Sequence, residues 1–147
     1  MDKKIKLLYL CTGNSCRSQM AEGWTRHLKG GLVDVYSAGI ETHGLNPNAV
    51  RVMAEVGIDI SEHQSEHIDK FMNIGLDYVV TVCDHAHETC PMFPGTAKII
   101  NAAFNDPPKM AAELAEKGAS VEEQLECYRQ VRDEIKEFVE TIPECLS

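Results

Sequence analysis

No apolar run in this chain approaches the roughly 20 residues that span a bilayer, so no membrane partner is expected. Basic residues are scarce: 14 Lys and Arg stand against 23 Asp and Glu, a net charge of −9. Such a surface repels nucleic-acid phosphates, and no nucleic-acid partner is expected. It also repels an anionic substrate at long range, so any anion must be held by local donors. No repeat, low-complexity tract or linker interrupts the 147 residues, which points to a single catalytic domain over 1–147. The six cysteines Cys11, Cys16, Cys83, Cys90, Cys127 and Cys145 include no C-x2-C pair. Cys83 and Cys90, with His85 and His87 between them, make an unusual set for structural zinc, and no zinc is expected. The opening Met1-Asp2-Lys3-Lys4 leads into a short apolar run without a small-residue cleavage site. A cytoplasmic location is therefore expected, where cysteines read as catalytic or redox groups and not as a disulfide framework.

What is present is concentrated in Cys11-Thr12-Gly13-Asn14-Ser15-Cys16-Arg17-Ser18. The apolar run Ile5–Leu10 before it reads as a buried strand. Met20, Trp24 and Leu28, spaced by four, begin a helical pattern after it. A loop between strand and helix turns successive N–H groups, and the helix N-terminus, onto one anion. Thr12, Gly13, Asn14, Ser15 and Cys16 would form that cradle. Arg17 adds a planar fork that grips two oxygens of a tetrahedral oxyanion. The same positive field favours the thiolate of Cys11, the nucleophilic form. Nucleophile and clamp thus come from one turn of chain, as attack on phosphorus or arsenic requires. The loop lacks the Gly-Lys-Ser/Thr ending of a nucleotide P-loop, so ATP and GTP are not implied.

Strand and helix signals alternate along the rest. Ser18–Leu28 is a helix ended by Gly30-Gly31, Val33–Ser37 a strand, and Pro47–Val56 a helix with proline at its start. Ser61 caps a short helix carrying Glu66 to Met72. Leu76–Val82 and Lys98–Ile100 are strands, with a turn or short helix over Asp84–Cys90. Val121, Leu125, Tyr128, Val131, Ile135, Phe138 and Ile142 mark a long amphipathic last helix. The pattern predicts an α/β fold: a four-stranded parallel sheet with helices on both faces. Ligands of such sheets sit beyond the carboxyl ends of the strands, where Cys11, Ser37 and Cys83 meet.

Two further thiols bear on the chemistry. Cys83 follows a strand as Cys11 does, and Cys90 lies seven residues on, in a segment flanked by Pro91, Pro94 and Gly95 that reads as a surface loop. Two thiols near a nucleophilic thiol suggest a disulfide relay; the bland alternative is that Cys83 fills the core. Asn105-Asp106-Pro107-Pro108 is a turn signal that projects the Asp106 carboxyl, a candidate general acid or else a turn or cap residue. Ser37-Ala38-Gly39 and the His43-Gly44 loop border the site, His43 as a loop residue and not a catalyst. Cys127 and Cys145 read as core filling or idle thiols.

Leu10 to Trp24 (Leu-Cys-Thr-Gly-Asn-Ser-Cys-Arg-Ser-Gln-Met-Ala-Glu-Gly-Trp) resembles the thioredoxin-coupled arsenate reductases, which share the fold of the low-molecular-weight protein tyrosine phosphatases. The likeness continues through Val35–Gly44 and Asn46-Pro47, and resumes at Val79–Cys83, Cys90-Pro91 and Gln130–Ile135. It implies roles by position. Cys11 is the nucleophile, Arg17 the clamp, Ser18 the thiolate stabiliser and Asp106 the acid. Cys83 attacks the Cys11–arsenic adduct and releases arsenite, leaving a Cys11–Cys83 disulfide. Cys90 then takes over Cys83, and thioredoxin reduces the Cys83–Cys90 disulfide. No tightly bound cofactor is implied, beyond potassium in some members near Asn14, Glu22, Ser37 and an acid falling at Glu66, a position that differs in residue type. The region after the fourth strand departs from the family's aromatic-Gly-Phe-Asp-Asp-Pro run and reads Ala102-Ala103-Phe104-Asn105-Asp106-Pro107.

Three readings follow. A monomeric arsenate reductase with thioredoxin as reductant uses every one of these residues. A tyrosine phosphatase uses Cys11, Arg17 and Asp106 but has no need of Cys83 and Cys90, and would carry an aromatic wall where Pro108-Lys109 stands. A non-enzymatic oxyanion or redox sensor would trap Cys11 as a disulfide with Cys16.

Overall fold

The computed structural model describes residues 4–89 and 97–146. Strand β1 (Ile5–Cys11) is followed by helix α1 (Arg17–Lys29), β2 (Val33–Gly39), α2 (Pro47–Glu55), β3 (Tyr78–Thr81), α3 (Asp84–Thr89), β4 (Lys98–Asn101), α4 (Pro107–Glu116) and α5 (Val121–Glu140). The four strands run parallel in the order β2-β1-β3-β4. The register sets Cys11 beside Gly39 and Leu10 beside Thr81, so the strands end together.

Leu7, Leu8, Tyr9 and Leu10 are successive and all fully buried, so both faces of the sheet are covered. On one face the Tyr9 hydroxyl meets Thr25 Oγ1 of α1 at 2.6 Å. On the other, Tyr36, the register partner of Leu8, packs its ring on Phe71 of a short 3-10 turn, Ile68–Phe71. Helix α1 is tied to α5 by Trp24 Nε1, which donates to the Arg132 carbonyl at 3.1 Å. Ser120 and Glu123 close a reciprocal capping box at the start of α5.

Three sequence expectations change. Asn105–Pro108 is not only a turn: Pro107 and Pro108 begin α4, where their missing N–H groups leave no intrahelical bond unmade. Ser61 caps no helix. Its hydroxyl donates to Asp59 at 2.6 Å, and the 3-10 turn starts later, with His67 accepting from Asp69 N. The last helix stops at Glu140, and Ile142 stays buried beyond it.

Candidate active site

Cys11 is the last residue of β1 and Arg17 the first of α1, so 11–17 is the strand-to-helix junction. The turn is made at Asn14, a fully buried residue with φ of 47°. L-residues avoid this left-handed region, but a short polar side chain that bonds locally can hold it. Asn14 Oδ1 accepts from Glu66 N at 2.7 Å and from Gln19 Nε2 at 3.0 Å. The backbone donor at Glu66 fixes the orientation of the amide, and Nδ2 therefore donates to Ser18 Oγ at 2.8 Å. Ser18 then has its own proton free for Cys11 Sγ, 3.0 Å away. The result is a directed chain of hydrogen bonds, Asn14 to Ser18 to Cys11.

A strap of residues 40–46 lies along the loop. Ile40 N donates to Cys11 O at 3.1 Å, Glu41 N to Thr12 O at 2.8 Å, His43 N to Gly13 O at 2.9 Å and Asn46 N to Ser15 O at 3.0 Å. Gln19 Nε2 takes the Asn14 carbonyl at 3.1 Å. In a trans peptide N–H and C=O point opposite ways. Drawing these carbonyls outward turns the N–H groups of Thr12, Gly13, Asn14, Ser15 and Cys16 inward, onto the anion position. The packing is close: a Cβ on Gly39 would press on Asn14 N at 2.7 Å, and one on Gly13 would overlap the His43 ring.

The cavity over this loop measures about 350 Å³ and is lined by Cys11, Arg17, His43, Asn46, Asp106 and Pro108 besides the loop backbone. Arg17 Nη1 donates to the Phe104 carbonyl at 2.9 Å and Nη2 stands 3.9 Å from Asp106 Oδ1. Asp106 sits at the cap position of α4 but its side chain makes no cap hydrogen bond, leaving the carboxyl to the cavity. Cys83, buried at the end of β3, has its Sγ 3.4 Å from Thr12 Oγ1 and 3.4 Å from Ala86 N. Cys90 lies outside the described residues. Burial, then the charge of Cys11, pushes the Cys16 thiol up well beyond the ordinary range, so it is a poor attacking group for a Cys11–Cys16 trap.

These features match a known family. The profile of the low molecular weight phosphotyrosine protein phosphatases fits residues 6–146. The chain belongs to this family. Within it, the chain is 50% identical over 145 residues to a Bacillus subtilis protein named arsenate reductase, covering 96% of this chain and 99% of that one. An arsenate reductase of Halalkalibacterium halodurans is 49% identical over 144 residues and 98% of each chain. Among solved structures, an arsenate reductase in its oxidized state superposes with a TM-score of 0.76 at 33% identity, over 97% of this chain and 98% of that one. A low molecular weight protein tyrosine phosphatase from T. tengcongensis gives 0.73 at 26% identity, over 96% and 99%. The expected four-stranded parallel α/β architecture is thus the family fold.

Where the resemblance implied a cation, the side chains have partners within the chain. Glu22 accepts from Ser37 Oγ and pairs with Arg26 at 2.7 Å, while Glu66 pairs with Lys70 at 3.0 Å. Asn14 Oδ1 already takes two donors. Both acids are paired with cations of the chain itself. Nearby, burial holds His63 below its usual range against the pull of Glu22. His63 Nδ1 meets Gln19 Oε1 at 3.0 Å, joining this cluster to the loop.

Sequence reading did not find the Phe104 carbonyl, the Ser65 hydroxyl on Gly13 O or the Gln19 amide. Gln19 carried a signal, a polar residue on the buried face of a helix. The backbone carbonyl carried none.

Proposed function

We propose that this chain reduces arsenate to arsenite, with Cys11 as nucleophile and thioredoxin as reductant. The observation that carries the reading is the second buried thiol, Cys83, beside the oxyanion loop at Thr12. A hydrolase has no use for it. The names of relatives at about half identity agree.

The Cys11 thiolate attacks arsenic(V), and Asp106 protonates the departing oxygen, which leaves as water. Arg17 and the loop N–H groups hold the other oxygens as charge grows on them. Cys83 attacks Cys11 Sγ. The Cys11–arsenic bond breaks, its electron pair stays on arsenic, and arsenic(III) leaves as arsenite. The Cys11–Cys83 disulfide passes to Cys83–Cys90 when the Cys90 thiolate attacks Cys83, and the dithiol of thioredoxin reduces that disulfide.

Arsenate-dependent NADPH oxidation with thioredoxin and thioredoxin reductase tests the activity. Mass mapping of non-reducing digests after one equivalent of arsenate tests the relay. Wild type should give Cys83–Cys90 and Cys90→Ser should give Cys11–Cys83. A Cys11–Cys16 disulfide in wild type, with full activity in Cys83→Ser, would refute the relay. Hydrolysis of an aryl phosphate without arsenate reduction would instead make the chain a phosphatase.

A further inference from the structure

We propose that His43 is a second oxyanion-contacting residue at the mouth of the loop, held there by Glu41, and that it sets a preference for hydrogen-bearing tetrahedral oxyanions. The inference rests on reading Cys11–Arg17 as the anion site.

His43 is fixed from two sides. Its N–H is bonded to Gly13 O, and its ring lies so close over Gly13 that a Cβ there would overlap it. It lines the same cavity as Cys11, Arg17 and Asp106. Its Nε2 stands 2.7 Å from Glu41 Oε2. A carboxylate only accepts, so Nε2 carries the hydrogen and Nδ1 is the edge left on the Gly13 side. Glu41 does not line the cavity, and its part is to orient the ring. It is a positioning residue.

The chemistry of that edge is unlike that of the other donors. Arg17 and the backbone N–H groups can only donate. Nδ1, with the ring hydrogen on Nε2, accepts a hydrogen bond from an oxyanion hydroxyl. Hydrogen phosphate and hydrogen arsenate carry such a hydroxyl. Sulfate has no proton to share at neutral pH and cannot make the contact. In a chain of net charge −9, a contact specific to the bound anion also supplies what the global field withholds.

Calorimetric titration with inorganic phosphate and with sulfate tests this on wild type, His43→Ala, His43→Gln, Glu41→Ala and the double variant. Loss of one hydrogen bond to a charged ligand at an open site predicts that His43→Ala weakens phosphate binding by roughly three- to tenfold, with sulfate affected less. Glu41→Ala should weaken phosphate by a smaller factor and have no further effect in the His43→Ala background. Arsenate KM should rise while kcat holds. Unchanged phosphate affinity in both His43 variants overturns the contact. An undiminished Glu41 effect in the His43→Ala background overturns the positioning. Phosphate binding needs no redox chemistry. Wild type that binds phosphate yet reduces no arsenate would sink the proposed function and leave this inference standing.

Discussion

Arg17 and Phe104, 87 residues apart in sequence, are joined by a 2.9 Å hydrogen bond from Nη1 to the carbonyl. Phe104 N in turn donates to Val82 O at 3.1 Å, the residue before Cys83. The oxyanion clamp is therefore tied, through one residue, to the strand end that carries the second thiol. The Phe104 ring is seated edge-on against Phe138 of α5, centroids 6.1 Å apart. The guanidinium arrives at the cavity already aimed.

Arg17→Lys keeps the charge and loses this arrangement, because an ammonium cannot bond Phe104 O and grip two oxygens in one plane. The expected cost is about 2–4 kcal/mol of transition-state stabilisation, read as a 30- to 1000-fold loss in kcat/KM. Steady-state kinetics at wild-type level in the lysine variant would remove the bidentate role.

Asn14→Ala strips the loop of its central tie. Glu66 N and Gln19 Nε2 lose their acceptor, Ser18 loses its donor, and alanine must hold φ of 47°. Destabilisation of about 2–4 kcal/mol is expected, together with loss of phosphate binding. Denaturant unfolding and titration check both, and a change under about 0.5 kcal/mol would mean that the strap alone holds the turn.

Asp106→Asn should leave the fold within about 0.5 kcal/mol of wild type, because the Asp106 side chain makes no cap hydrogen bond to lose. Phosphate should bind nearly as before, while arsenate turnover drops by about 10²–10⁴ if the carboxyl is the acid. A variant that is unstable yet active per folded molecule would return Asp106 to a structural part.

His63 gives a pH signature. Its folded form is held below the usual range by burial, so folding favours the neutral ring. Its contribution is therefore complete above the unfolded value of about 6.5 and is lost as pH falls through the lower folded value. Stability should decline on acidification from about pH 6.5, and His63→Gln should flatten that part of the curve. Thermal unfolding across pH 5 to 8 measures it, and parallel curves for the two proteins would contradict it.

Much of this was legible in the sequence, for local reasons. The β1 run, the α1 spacing and the α5 stripe each carry their own period. The loop is contiguous, so its chemistry could be read off residues 11 to 18. Helix α4 was hidden because two prolines signal a turn more loudly than Met110, Ala111 and Leu114 signal a helix. His43 reads as a loop residue because its place is set by a hydrogen bond to Gly13, thirty positions back, which no residue near His43 encodes. The Arg17 tether ends on a carbonyl, which every residue possesses.

The strap over the loop has a consequence for engineering. The seven residues from Cys11 to Arg17 look portable, a nucleophile and its cradle in one short peptide. Their carbonyls, however, are held by Ile40, Glu41, His43, Asn46 and Ser65, and their turn by Glu66 and Gln19. Grafted alone onto another strand-to-helix junction, the heptapeptide would be free to rotate its peptides and satisfy its N–H groups on water. The smallest transplantable unit is three separate pieces of chain, and a host must already hold two flanking segments at the right height above the end of its sheet.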